Sequence, residues 1–359
     1  MNQLDLKMNN MPFEGLPHRG TIILLPYRCD TWRCDALYAL DVFYNLVSII
    51  SKYEMVYLVC DPSIDDKKIE RFKMKNVLIL RLEYNDAWAR DNTLIYVKNN
   101  NKNVAIDFRF NAWGGSVDGL YSDYRADDAL GKKLAKALND ECVSLDNFIL
   151  EGGSIHTDGE GTFLTTEACL LSKGRNNLSK EEIEAVLSKY LGAKKVLWLK
   201  HGIYNDETNE HVDNMACFLK PGVVLVADCD DESDIQYKYS KDAIRYLENE
   251  CDAKGRKLKV IKIPTPINLK MTRDEAEGLD KTDAIERCEG DRLAGSYVNF
   301  YQSDRFVIVP KYGNLLDDIA FNILKEFYQN KDVYQLESRE ILLAGGNIHC
   351  VTMQIPKED

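Results

Sequence analysis

Short apolar runs, each about four to eight residues long and rich in Val, Ile, Tyr and Phe, recur along the whole chain and predict strands. They fall at 21–27, 55–60, 77–83, 94–98, 104–110, 161–166, 195–200, 215–219, 223–228, 258–264, 296–301, 305–312 and 333–337. Between some of them the spacing changes to that of a helix face. Leu37, Leu40, Tyr44, Val47 and Ile50 form one stripe, and Leu130, Leu134 and Leu138 another. Residues 179–192 carry the fullest helix signature: Ser179 and Glu182 have capping-box spacing, Ile183, Val186, Leu187 and Tyr190 make the apolar stripe, and Gly192 is the stop. Two further helices are expected near 237–250 and 315–328.

Two or three strands followed by a helix, several times over, do not make a strictly alternating parallel sheet. The order predicts an α/β chain of antiparallel or mixed β-units, each covered by a helix. No repeat of fixed period and no Pro- or Ser-rich linker interrupts it, so residues 1–359 read as one continuous domain. The polar stretch 268–291 reads as a surface excursion.

Composition adds limits rather than a function. With 359 residues, 45% of them hydrophobic, the chain can bury a large core. Lys and Arg number 46 against 58 Asp and Glu, a balance of −12, which argues against a nucleic-acid partner and would draw in a small cation. No window approaches about 18 apolar residues, and residues 1–18 lack a leader pattern, so no membrane partner and a cytoplasmic location are expected. Ten cysteines are scattered without a Cys-x-x-Cys pair, which reads as reduced thiols rather than a metal or disulfide framework.

Candidate chemistry gathers in four polar islands. Asn85-Asp86-Ala87-Trp88-Ala89-Arg90-Asp91 follows a strand and could hold a cation between carboxylate and indole, or be an Arg90–Asp91 or Arg90–Asp86 pair capping a strand end. Glu151-Gly152-Gly153-Ser154 offers an acid at a bend where backbone can approach a ligand closely. In the window 205–214, His211 and Asp213 would share one side of an extended chain, a carboxylate beside an imidazole as in a proton shuttle; a solvated acidic loop is the plain alternative. Last, Gly345-Gly346-Asn347-Ile348-His349-Cys350 places a thiol at the start of a final short strand. Its thiolate would need positive charge nearby, from the substrate or from a residue such as His349 or His211. One thiol, one imidazole and an excess of acids suit attack on a guanidinium carbon, because carboxylates match that planar cation in two-toothed fashion.

Taken in order, these islands, with Phe110-Asn111-Ala112-Trp113-Gly114-Gly115 and Thr165-Thr166-Glu167-Ala168-Cys169-Leu170-Leu171, resemble the agmatine deiminase family from about Met11 to Pro356. The resemblance implies a five-bladed α/β-propeller of ββαβ-type modules around a pseudo-fivefold axis. It also implies hydrolysis of agmatine to N-carbamoylputrescine and ammonia, without metal or cofactor, by a chain that assembles as a homo-oligomer, dimer or tetramer. Carried over by position, Cys350 would be the nucleophile that forms an amidino-cysteine intermediate, and His211 would protonate the departing ammonia and then activate water. Asp91 and Asp213 would grip the guanidinium, Glu151 would orient His211, and Trp88 would pack on the substrate, with Gly346 allowing close backbone approach. Trp113, Asp30 and Trp32 would line the mouth or meet the far amine. The chain departs from the family pattern at Asn92-Thr93-Leu94, at Glu210 where a Gly is common, at Leu25 where a Trp is frequent, and at Ala344 where a third Gly is usual. The rival expectations are a deiminase of peptidyl-arginine or free arginine, and a non-catalytic guanidine- or polyamine-binding protein.

Overall fold

The computed structural model describes Leu6, residues 9–100 and residues 102–358. Strands β1 (Asn9–Asn10), β2 (His18–Leu24), β3 (Met55–Cys60) and β4 (Val77–Arg81) open the chain. The repeating unit then shows itself. β5 (Ile95–Asn99) pairs antiparallel with β6 (Lys102–Arg109), helix Leu130–Leu138 crosses over, and β7 (Cys142–Ile149) returns parallel to β6. The pattern recurs with β8 (Ile155–Thr157), β9 (Thr162–Thr166), helix Lys180–Leu191 and β10 (Lys195–Leu199). It recurs again with β11 (Ala216–Lys220), β12 (Val223–Asp228), helix Ile235–Asn249 and β13 (Lys259–Pro264). A fourth copy is β14 (Tyr301–Gln302), β15 (Phe306–Lys311), helix Asp317–Phe327 and β16 (Asp332–Glu337).

The two ends of the chain make the fifth. β17 (Met353–Pro356) lies antiparallel on β2, helix Leu37–Ile50 crosses over, and β3 returns parallel to β2, with β4 added beyond it. Five ββαβ units, the last closed by pairing the final strand with the first long one, form the five-bladed α/β-propeller. The sequence has no fixed period because the connections between units differ greatly in length.

Local signals explain the helices. Both capping-box bonds of Ser179 and Glu182 are made, and Gly192 ends that helix at φ 80°, a left-handed position that glycine takes without strain. Helix Leu37–Ile50 buries Leu40, Phe43, Leu46, Val47 and Ile50. Leu37 and Tyr44, placed in the stripe by spacing, are exposed, because the buried face lies one position further round.

Other differences matter for the site. Residues 296–301 form a strand only at Tyr301; the rest is buried loop whose backbone turns to the centre, with Asn299 O accepting from His349 N at 3.3 Å. β7 and β8 were not expected: in β7 Ser144, Asp146 and Asn147 break the apolar residues into short pieces, and β8 is three residues long, while the final short strand, β17, begins at Met353 rather than at Cys350. Nor is 268–291 a plain surface excursion, since it carries helix Arg273–Glu277 and brings Ala284 and Arg287 into a pocket wall.

Candidate active site

Each module's first strand is entered from a loop or short turn, and these five entries meet. Asp91, on the turn Ala89–Asn92, precedes β5, and Glu151 precedes β8. His211 and Asp213 precede β11, Asn299 precedes β14, and Cys350 precedes β17. A propeller brings such equivalent positions together near its axis, whatever their separation in sequence.

Gly153 marks the meeting point. A Cβ built there would lie 2.6 Å from His211 Nδ1, 2.9 Å from Asp213 Oδ2 and 2.9 Å from Asp91 Oδ1, so only glycine leaves room for the three groups. Gly153 N–H donates to Asp91 Oδ1 at 2.8 Å, and the Trp113 indole donates to Asp91 Oδ2 at 3.0 Å. His211 does not lie on an extended strand as its spacing suggested. It caps the short helix Val212–Met215, which carries Asp213, and both side chains still face the site. The His211 ring spans two acids, Nδ1 lying 3.8 Å from Asp91 Oδ2 and Nε2 3.9 Å from Glu151 Oε2. Glu151 is wholly buried and ion-paired at 2.9 Å with the equally buried Arg175 Nε. Arg175 also donates to the carbonyls of Trp113 and Thr208, which ties Glu151 to two other segments of the site.

The Cys350 thiol is buried in a turn three residues before β17 rather than at its start. Asn299 holds that turn, with Oδ1 accepting the backbone N–H of His349 at 3.0 Å and of Cys350 at 3.4 Å, and Nδ2 3.3 Å from the sulfur. Asp213 Oδ2 is 3.9 Å from Sγ, and Asp213 Oδ1 is buried with no hydrogen-bond partner among the described residues.

A pocket of about 380 Å³ of empty space reaches Cys350 and Asp91 past Trp88, Trp113, Tyr121 and Glu207. Asp86 fixes one wall: its two oxygens accept from the indoles of Trp32, at 2.6 Å, and Trp88, at 3.0 Å. The two rings stack with centroids 5.1 Å apart. Trp32 therefore backs Trp88 instead of lining the mouth. Gly346 packs against the other side of Trp88, where a Cβ would come within 2.3 Å of the ring. Asp30 does not face the pocket either. Its carboxylate accepts from Arg28, the Thr282 hydroxyl and the backbone N–H groups of Asp283 and Ala284, and so straps down the segment whose Ala284 and Arg287 complete the wall.

The electrostatics are uneven. Burial pushes the Cys350 thiol well above its ordinary range, and Asp213 and Asp91 push it further, so without a cation beside it the sulfur keeps its proton. Burial opposes charge on His211, but Asp91, the Cys169 thiol and Glu151 outweigh it and lift the imidazole to about 10. Asp91 is raised to about 6 by burial, with Asp213 and Glu151 adding to the rise and His211 opposing it. Two buried sets have the spacing of metal ligands: Glu14, His156 and His349, and Glu151, Cys169 and His211. Each already carries a guanidinium, Arg90 on Glu14 and Arg175 on Glu151, and a second cation there would meet that charge directly.

Sequence reasoning missed Asn299, Arg175, Glu207, Arg287, Glu14 and the full part of His349. Arg90 pairs with Glu14 at 2.9 Å, not with Asp86 or Asp91. The departures from the family pattern leave the reacting groups in place. Glu210 sits at φ 64°, the conformation for which a glycine is suited, and its carboxylate turns to Gly202 N–H and His201, each at 2.9 Å, rather than into the pocket. Asn92 bonds Asp86 O and Asp127, stiffening the turn behind Asp91. Leu25 is buried core, and Ala344 lines the pocket.

Residues 10–356 match the family described as Porphyromonas-type peptidyl-arginine deiminase. The chain is 44% identical over 351 residues to "Putative agmatine deiminase 1" of Listeria monocytogenes serotype 4b (strain F2365), covering 97% of this chain and 96% of that one. It superposes on a solved agmatine deiminase of Enterococcus faecalis with a TM-score of 0.95 at 36% identity, covering 100% of this chain and 99% of that one. A cysteine-to-serine variant of C. jejuni agmatine deiminase with substrate bound gives a TM-score of 0.82 at 27% identity, covering 98% and 96%.

Proposed function

The chain belongs to the Porphyromonas-type peptidyl-arginine deiminase family, with relatives named agmatine deiminase along its whole length, and we propose that it hydrolyses agmatine to N-carbamoylputrescine and ammonia, as a C–N hydrolase acting on a linear amidine. The observation that carries the reading is a buried thiol 3.9 Å from Asp213, in a pocket that also presents Asp91, with Asp213 Oδ1 unpartnered among the described residues. Such a site lacks a planar cation that can donate several hydrogen bonds at once, which is what a guanidinium is.

In this reading Asp91 and Asp213 hold the guanidinium nitrogens against the wall made by Trp88 and Gly346. The substrate's own charge offsets the two carboxylates that keep the Cys350 thiol protonated. As the thiol proton is released to solvent, sulfur bonds to the guanidine carbon and the C–N electron pair passes to the departing nitrogen, which the imidazolium of His211 protonates to ammonia. The thiouronium left on Cys350 is then attacked by water, whose proton returns to His211. The carbon–sulfur bond breaks, leaving a C=O in the product and a thiol on the enzyme. Glu151, backed by Arg175, supports the charged imidazole. Glu207 and Asp86 are the further acids lining the pocket, and Glu207, half-exposed and paired with Arg287, is the better placed to meet the distal ammonium.

One observation favours a second reading. Arg287 Nη1 is buried without a hydrogen-bond partner among the described residues, a donor that a carboxylate or peptide carbonyl of an arginine substrate could satisfy. Incubation with agmatine, with arginine alongside and the Cys350→Ser variant as control, tests both. Ammonia and N-carbamoylputrescine from agmatine alone are expected. Product from arginine alone would overturn the substrate assignment, and binding without turnover would indicate a guanidine-binding protein.

A further inference from the structure

Behind the thiol lies a polar cluster that the reaction above does not use. Glu14, in the segment between β1 and β2, is buried, and its Oε1 accepts from Arg90 Nη1 and His349 Nε2, each at 2.9 Å. On the other side of the same ring, His349 Nδ1 is 2.8 Å from Asp213 Oδ2. His156 completes the cluster. Its Nδ1 accepts from Phe218 N–H at 3.2 Å, which leaves the proton on Nε2, 3.5 Å from Glu14 Oε2.

The protons can be counted. A carboxylate offers no hydrogen to an imidazole, so a ring lying between two carboxylates must donate from both nitrogens, and an imidazole that donates twice is an imidazolium. The alternative is to protonate one of the acids, and at Glu14 the Arg90 guanidinium opposes that. The energetics agree in direction. Burial and Arg90 work against charge on His349, but Glu14 and Asp213 outweigh them and raise its pKa. Burial likewise disfavours the anions, yet His349 and Arg90, with His156 at Glu14, hold Glu14 well below the usual carboxylate range, and His349, His211 and Arg90 lower Asp213.

We propose that Glu14 and His349 are positioning residues for the reaction: a buried carboxylate–imidazolium–carboxylate relay that keeps Asp213 ionised and aimed beside the Cys350 sulfur. The proposal rests on the functional reading above, in which Asp213 grips the guanidinium. Without the relay Asp213 would sit among buried acids with no fixed cation bonded to it, the circumstance that lets Asp91 take up a proton near neutral pH. A protonated Asp213 offers one acceptor fewer to the substrate and no charge. The charged groups facing it are His349, His211, Arg90 and Asp91, with the Cys350 and Cys217 thiols.

Two measurements separate this inference from the assignment of substrate. In wild-type protein labelled with 15N-histidine, the ring nitrogens of His349, assigned by comparison with His349→Asn, should both carry protons from pH 6 to 8. A neutral His349 at pH 7 would overturn the relay, and this result needs no substrate. For catalysis, Glu14→Gln keeps the shape and removes the charge. Its kcat/KM for agmatine should fall about tenfold or more, mostly through KM; in an Asp91→Asn background, which lacks the Asp91 limb near pH 6, the remaining acid limb should move up by about one pH unit as Asp213 becomes easier to protonate. His349→Asn keeps a neutral donor toward Asp213 and should move the limb the same way, which serves if Glu14→Gln does not fold. An acid limb that stays in place in the variants that fold, whatever their loss of stability, would reduce Glu14 and His349 to structural residues. If the wild type turns over no agmatine, the functional reading fails while the nitrogen shifts still decide the charge on His349.

Discussion

Asp91 and Asp213 are the same residue type, equally buried, and both raise the pKa of one thiol, but their surroundings differ in kind. Asp91 accepts from two neutral donors, the Gly153 N–H and the Trp113 indole, and its nearest cation, His211, is 3.8 Å away. Asp213 is bonded at 2.8 Å to a ring that itself leans on Glu14. Asp91 is raised to about 6, while Asp213 is lowered. The number of hydrogen bonds therefore does not set the charge state of a buried acid here; the charge of the donor does. One jaw of the clamp is fixed as an anion, and the other gives up its charge as the pH falls through about 6.

The contrast breaks most visibly in stability. Asp213→Asn takes from the buried His349 imidazolium one of its two carboxylate partners, leaving Glu14 to balance both it and Arg90, and should cost about 3–5 kcal/mol in urea unfolding at pH 7. Asp91→Asn should behave otherwise. Its raised folded pKa means that Asp91 contributes stability below its unfolded pKa near 4, and that this contribution is lost as pH rises through about 6. Relative to wild type, Asp91→Asn should therefore gain stability as pH goes from 4 to 7. A difference that does not change with pH would place Asp91 with Asp213.

In kinetics, Asp91→Asn replaces a charge-assisted contact with a neutral one, and KM for agmatine should rise by a factor of about 10–100, the equivalent of about 1.5–3 kcal/mol. The wild-type kcat/KM should fall as pH drops below about 6, where Asp91 takes up its proton. That limb should be missing in Asp91→Asn, and its persistence there would assign it to another group. The smallest effect belongs to a residue outside the clamp. Glu210→Gly relieves a left-handed φ but loses the bonds to His201 and Gly202, so stability should stay within about 1 kcal/mol and kcat unchanged. A large fall in kcat would mean that Glu210 reaches the pocket.

How much of this was legible in the sequence follows from the propeller itself. Four of the five module entries are marked by unusual residues: the Trp-Ala-Arg-Asp turn, Glu-Gly-Gly, the His-x-Asp pair, and Gly-Gly-Asn-x-His-Cys. The fifth, Ser296–Phe300, is rich in Tyr, Val and Phe and imitates a strand, so Asn299 was hidden although it holds the thiol's turn. Glu14 gives no local sign at all. Its neighbours in sequence are ordinary, and its partners His349 and Arg90 come from distant segments, so only the closed ring joins them. Module closure by β17 on β2 was equally out of reach, since a four-residue strand pairs with one more than three hundred positions earlier. Trp32 and Asp30, by contrast, look like pocket residues in the sequence, and their partners Asp86 and Thr282 turn them into supports.

The reaction proposed above passes through a covalent bond to Cys350, and the direct test is mass spectrometry of protein quenched in acid during agmatine turnover. An added mass equal to agmatine less ammonia, confined to the peptide that carries Cys350 and absent from Cys350→Ala, is the predicted result. Turnover with no adduct in wild type, and undiminished in Cys350→Ala, would contradict it.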